Sequence, residues 1–202
     1  PDKDCYTDSD KSGYAFNSSD LYTSDIGECI KAPYCYNTHD YMDMKYYNLW
    51  NADNTAVSVN NNVVVKTVYD PSPVGYCLPP LNAFTGTTAN GSMESGESAY
   101  GYMFNSPYTS SADYAVHNGW VFYCSKMSRP GNYDPNGGTI YFPAMGFRGS
   151  SGVFGSGSGR YWTGTALSAD NGGNLSFGSF QINPYIDSYR SSGMPVRPIL
   201  EQ

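Results

Sequence analysis

The architecture that this sequence predicts is an α+β domain of short antiparallel strands, one or two helices and long loops. Three observations point to it. Beyond Gly119, short aromatic runs alternate with glycine turns, the pattern of brief antiparallel strands. Residues 63–69 are rich in β-branched side chains and stop at Asp70-Pro71-Ser72-Pro73, as a strand running into a turn does. Residues 41–50 place Met42, Tyr46, Leu49 and Trp50 at helix-like spacing, which predicts one helical segment.

A chain of 202 residues has the size of one large domain and can bury a sizeable core. We read a single domain over 1–202, in which 1–62 is an N-terminal loop and helix region packed on a core formed by 63–202. The N-terminal region is rich in Asp, Asn, Ser and Tyr and is expected to be irregular outside 41–50. The strand at 63–69 is the first firm element. After Pro79-Pro80, residues 81–84 are expected to open a short helix, because proline is tolerated at a helix start. Further strands are predicted at 120–123, 139–142, 159–163, 175–182 and 195–200. The intervening loops 129–138, 148–159 and 167–174 carry much of the Gly, Ser and Asn, and such loops lie at the surface, where binding is commonly placed. No period of 20–50 residues suggests a solenoid or propeller.

Composition narrows the function. Hydrophobic residues make 40% of the chain and charged ones 14%, so the surface is polar without being strongly ionic. Eleven basic residues against 18 acidic ones leave a net charge of -7. With no Lys/Arg run to offset that charge, nucleic acid is not expected as a partner. No stretch approaches the roughly 18 apolar residues of a membrane helix, and no transmembrane segment is expected. The opening Pro1-Asp2-Lys3-Asp4 lacks the apolar core of a signal peptide, as expected of a mature or trimmed chain. The 5 cysteines, Cys5, Cys29, Cys35, Cys77 and Cys124, form no CxxC pair. Their pairing cannot be assigned from spacing, and the odd count leaves at least one thiol outside an internal bridge.

Catalysis by nucleophile, base and orienter is constrained by the histidines, of which there are 2, His39 and His117. Gly155-Ser156-Gly157-Ser158-Gly159 puts glycine at the centre of its five residues, which is not the G-x-S-x-G elbow. We read it as a flexible loop. Cys35 and His39 stand four apart, yet two ligands do not make a zinc site. Asp8-Ser9-Asp10-Lys11-Ser12-Gly13 begins like a calcium loop, but its twelfth position is Ser19 and Asp20 falls one residue late. Asp113, Asp134, Asp170 and Asp187 sit in turn-like contexts and read as turn formers, not as a glycosidase pair. No enzyme, cofactor or metal is expected.

Aromatic residues are the positive signal. Tyr 20, Phe 9 and Trp 3 make 16% of the chain, and tyrosine joins a rigid apolar face to a hydroxyl at modest entropic cost, which suits contact surfaces. The candidate ligand-binding residues are Tyr161, Trp162, Tyr185, Asp187, Tyr189 and Arg190, centred on a predicted exposed loop at 185–189. Trp162 is also expected in the core.

Several segments carry a family likeness. Residues 65–80, Val-Lys-Thr-Val-Tyr-Asp-Pro-Ser-Pro-Val-Gly-Tyr-Cys-Leu-Pro-Pro, resemble a recurrent KTVYDPSPxGFxxPP stretch of surface proteins from Bacteroidales gut bacteria. Downstream, residues 141–148 (YFPAMGFR), 159–163 (GRYWT) and 193–199 (GMPVRPI) are similar to that group's FPAxGxR, YWSS and GFPVRPV segments, in the same order. The likeness covers roughly 45–202.

The resemblance implies a C-type-lectin-like fold, shared by fimbrillin-associated adhesins and the Fibrobacter major paralogous domain. It implies an extracellular or cell-surface adhesin or ligand-binding module, such as one at a pilus tip, whose partner is a protein or glycan on a host or bacterial surface. The Glu-Pro-Asn and Trp-Asn-Asp motifs of calcium-dependent sugar binding are absent. The same fold group includes the variable proteins of diversity-generating retroelements, in which adenine mutagenesis of AAC codons diversifies a C-terminal stretch. Residues 182–193 contain none of the five residue types such codons cannot reach, Gln, Lys, Glu, Met and Trp, so a diversified receptor-binding protein of phage or bacterial surface is the alternative. The formylglycine-generating sulfatase modifiers also share the fold, but the scattered cysteines argue against that chemistry. Fold alone does not settle function.

Overall fold

The computed structural model describes residues 22–23, 36–37, 48–88, 105–108, 110–124, 137–149, 152–168 and 170–201. Most of the expected helix at 41–50, the Asp8 to Ser19 segment, the loop from 129 to 136, Asp134, His39, Cys5, Cys29 and Cys35 lie outside the described residues.

The described residues are mixed α+β, made of small antiparallel strand groups with one parallel pair and two short helices. Strands β1 (Tyr22–Thr23) and β2 (Tyr36–Asn37) form the parallel pair. Strand β3 (Tyr76–Cys77) pairs antiparallel with β11 (Ile199–Leu200), and β4 (Gly119–Tyr123) with β5 (Thr139–Pro143). Strands β6 (Phe147–Gly149) and β7 (Gly152–Phe154) form a hairpin. The largest sheet runs in the order β10 (Ile182–Tyr189), β9 (Asn171–Phe177), β8 (Gly159–Ala166). A 3-10 helix covers Leu81–Thr87, as expected after Pro79-Pro80, and α1 covers Ser111–His117.

The main core forms where the β4–β5 pair, α1 and one face of the three-stranded sheet meet. Side chains alternate across a strand, and in β4 Trp120 and Phe122 are turned inward, opposite Phe142 and Ile140 of β5. From the sheet come Tyr161, Leu175, Phe177 and Ile182, and from α1 Tyr114. Ring contacts run continuously through this cluster: Phe142 meets Tyr161 edge-on at 5.1 Å, and Tyr161 stacks on Phe177 at 6.2 Å. Two buried polar ends are satisfied by backbone, Trp120 Nε1 donating to Gly178 O (2.9 Å) and Tyr161 Oη to Pro143 O (2.8 Å). Trp162 is buried, as expected, on the other face of β8, with Trp50 at 5.8 Å and its Nε1 donating to Ser192 O at 3.2 Å.

Five strand or loop expectations are corrected in whole or in part. Residues 63–69 form no strand, because Asn51 takes the pairing: Val65 N–H donates to Asn51 Oδ1 (2.9 Å) while Val65 O accepts Ala52 N–H (2.8 Å). Residues 175–182 are two strands, since the chain reverses between Gly178 and Gln181, where Gly178 N–H donates to Gln181 O at 3.0 Å. The loop 167–174 gives way to strand from Asn171, and the loop 148–159 contains the β6–β7 hairpin. Of the strand expected at 195–200, Ile199–Leu200 is strand and Val196 makes an isolated bridge to Trp162.

Close packing explains the glycines that read as loop. A Cβ on Gly172 would lie 3.0 Å from the Trp162 ring, and one on Gly173 would lie 2.4 Å from Leu81 Cδ1. These residues let the sheet touch its neighbours. The run from Gly155 to Gly159, read as flexible, is a hydrogen-bonded turn: Ser158 N–H donates to Gly155 O (2.7 Å) and Tyr114 Oη to Gly157 O (2.5 Å).

Residues 66–78 form a structural clasp. Asp70 is buried and accepts the Ser72 N–H on Oδ1 (2.8 Å) and the Leu78 N–H on Oδ2 (2.9 Å). Lys66 Nζ donates to the carbonyls of Ser72, Pro73 and Tyr76 at 2.5, 2.8 and 2.6 Å. A buried carboxylate holding backbone N–H groups beside an ammonium holding carbonyls fixes an irregular, proline-rich turn that no ladder could hold.

Candidate functional site

A cleft of about 370 Å³ opens beside the three-stranded sheet and the β6–β7 hairpin, lined by Phe147, Arg160, Asn171, Asp187, Tyr189 and the serines Ser188 and Ser192. Local folding places each group. Arg148 and Gly193 exchange two backbone hydrogen bonds, N–H to O at 2.7 and 2.8 Å, which tie β6 to the chain following β10. The turn closing that strand returns Ser192 N–H to Tyr189 O at 2.9 Å. Phe147 is held by stacking on Phe154, its register partner in the hairpin, at 5.7 Å and 28°.

Arg160 is the group on which the cleft turns. Its neighbour Tyr161 enters the core, so strand alternation carries Arg160 to the opposite face of β8. The guanidinium lies over the Phe147 ring at 4.2 Å from its centroid, and Nη1 donates to Ser188 Oγ at 3.0 Å. Burial lowers the Arg160 pKa, with no carboxylate raising it in return; an arginine nonetheless keeps its charge. Asp187 is exposed, and its Oδ2 accepts Asn171 Nδ2 at 2.8 Å across the β9–β10 pair.

The six residues expected to bind ligand separate. Asp187 and Tyr189 line the cleft, and Tyr189 is 58% exposed. Tyr161 and Trp162, each 3% exposed, are buried, the position also expected for Trp162. Tyr185 is half-buried and does not line the cleft; Arg190 is half-buried as well, with its stem against Gly172. The expected 185–189 loop is instead part of edge strand β10. A register shift lies between Asn183 and Ile186, where Pro184 has no N–H to give to the ladder.

Sequence reading missed Phe147, Arg160, Asn171, Ser188 and Ser192. One signal was available: in Gly159-Arg160-Tyr161-Trp162-Thr163 a single cation interrupts an aromatic strand.

Catalytic chemistry has little to draw on among the described residues. His117 lies on α1, exposed, with its Nδ1 at 2.8 Å from Asp113 O and its ring stacked on Tyr108 at 5.3 Å. Asp113 caps α1, accepting the Ser110 N–H at 3.0 Å. Cys77 is a buried free thiol whose pKa is pushed up by desolvation, and Cys124 is an exposed free thiol. No group of three or more His, Cys, Asp or Glu side chains among the described residues could hold a metal ion. None of their helices is long and apolar enough to cross a membrane.

No family model, curated protein or solved structure matches the chain.

Proposed function

We propose that this chain is a ligand-binding module of the cell exterior, an adhesin of C-type-lectin-like fold whose contact face is the cleft beside Arg160. One observation carries the reading: a guanidinium packed on an aromatic ring stands in the same opening as an exposed tyrosine and an exposed carboxylate. Small-molecule and glycan sites combine apolar faces with a few fixed polar groups in this way. Support also comes from the small strand groups and short helices that carry this opening, and from the ordered resemblance to Bacteroidales surface proteins.

The test is binding of the fluorescently labelled chain to intact epithelial and bacterial cells. Tyr189→Ala should weaken binding by about 1–3 kcal/mol and leave the melting temperature unchanged. Val74→Ala, at a residue 97% exposed and outside the cleft lining, should change neither binding nor melting temperature. Equal binding by wild type and Tyr189→Ala refutes the cleft as the contact face.

A further inference from the structure

Resting on the binding reading above, we infer that the cleft takes a carboxylate-bearing sugar, with Arg160 receiving the carboxylate, Tyr189 the apolar ring face and Asp187 a hydroxyl. The inference begins with what Arg160 lacks. Among the described residues the guanidinium has one hydrogen-bond partner, Ser188 Oγ, and no ion pair. A guanidinium carries five N–H donors in a planar fork that matches a carboxylate. Its position is already fixed by Phe147 on one face and Ser188 at one edge. Binding an anion there therefore requires little further ordering of the side chain. The lowered pKa agrees, because only desolvation acts on the group and no built-in carboxylate answers it.

The other walls select the rest of the ligand. Phe147 packs against Arg160 and Phe154, and Tyr189, which also lines the cleft, is 58% exposed and so presents ring area to a ligand. Asp187 engages Asn171 through Oδ2; its carboxylate is an acceptor that calls for a hydroxyl donor. A ligand satisfying both Arg160 and Asp187 must present one anionic group and neutral hydroxyls on a compact frame. A uronic or sialic acid residue has that chemistry. Polyanionic chains fit poorly, because the protein carries a net charge of -7. An acidic peptide fits poorly too, since Asp187 would face its further carboxylates.

The experiment uses the full chain on immobilised glycans containing glucuronate, galacturonate or N-acetylneuraminate, their neutral hexose counterparts, methyl-esterified copies of the acidic set, and an oligoglutamate peptide. Expected is binding to at least one acidic glycan, about tenfold or more weaker after esterification, a loss that requires no change to the protein. Arg160→Gln should give a comparable loss. Arg160→Lys, which keeps the charge but not the fork, should fall between. Neutral-glycan or oligoglutamate binding that survives Arg160→Gln but falls with Tyr189→Ala overturns the acidic-sugar inference and leaves the cleft as a binding site. Absence of binding to every acidic glycan also overturns it; the cell-binding assay then decides the broader reading separately.

Discussion

Removing the Asp70 carboxylate should destabilise the protein without touching the cleft. In Asp70→Ala the N–H groups of Ser72 and Leu78 lose their acceptors, now at 2.8 and 2.9 Å. Leu78 is fully buried and Ser72 nearly so, so water cannot replace the carboxylate without opening the clasp. Each orphaned buried donor costs about 1–3 kcal/mol; relaxation of an irregular segment keeps the sum toward the lower end, and we expect about 3 kcal/mol. For a chain of this size each kcal/mol lowers Tm by about 2–4 °C, giving a fall of about 6–12 °C. Asp70→Asn, which retains one acceptor oxygen, should lose about half as much. Urea unfolding followed by tryptophan fluorescence, with calorimetry for Tm, measures both variants. Losses below about 0.5 kcal/mol in both would refute the clasp as a structural device and reopen a functional role for the segment.

Two further outcomes follow from the core. Tyr161 has its pKa pushed up to about 12, mainly by burial; an unfolded tyrosine titrates near 10. Between those values the unfolded chain releases a proton that the folded chain keeps, so stability falls as pH rises from about 10 to about 12, by up to about 2–3 kcal/mol. Urea titrations at pH 8 and 11 should show the loss, and Tyr161→Phe should shrink it; an unchanged pH dependence would show that Tyr161 is not the group responsible. Gly159→Ala would place a Cβ 2.0 Å from Phe177 Cζ inside the ring cluster, an overpacking worth about 1–3 kcal/mol or more. Gly157→Ala, at φ +86 with nothing within 4 Å, carries only backbone strain of about 1–2 kcal/mol. A larger loss at Gly157 than at Gly159 by chemical denaturation would contradict the packing described.

Local patterns were legible where one chain segment decides its own structure. Aromatic alternation marked β4, β5 and the start of β8, and proline marked the 3-10 helix. Helix α1 escaped notice although Ser110-Ser111-Ala112-Asp113 carries the capping signature [S/T]-x-x-[D/E], because seven residues give a weak periodic signal. The glycines at 172 and 173 misled for a physical reason: in isolation glycine favours turns, and here it permits contact with Trp162 and Leu81 from elsewhere in the chain. The valines of 63–69 misled in the opposite sense, since β propensity needs a partner strand and Asn51 supplies a side chain instead.

The candidate site divides in the same way. Asp187 and Tyr189 could be named from sequence because exposure at the end of a polar, tyrosine-bearing segment is a local property. Tyr161 could not be separated from them, since which face of β8 meets the core depends on β5 and β9. By itself, then, the sequence determined an α+β chain with short strands, an acidic net charge and more aromatic residues than charged ones. Only the tertiary structure decided which aromatics are buried and which exposed, and that Arg160 joins the cleft. Its guanidinium meets Phe147 and Ser188, respectively 13 and 28 positions away in the chain, through a register and a hairpin packing that no local propensity encodes.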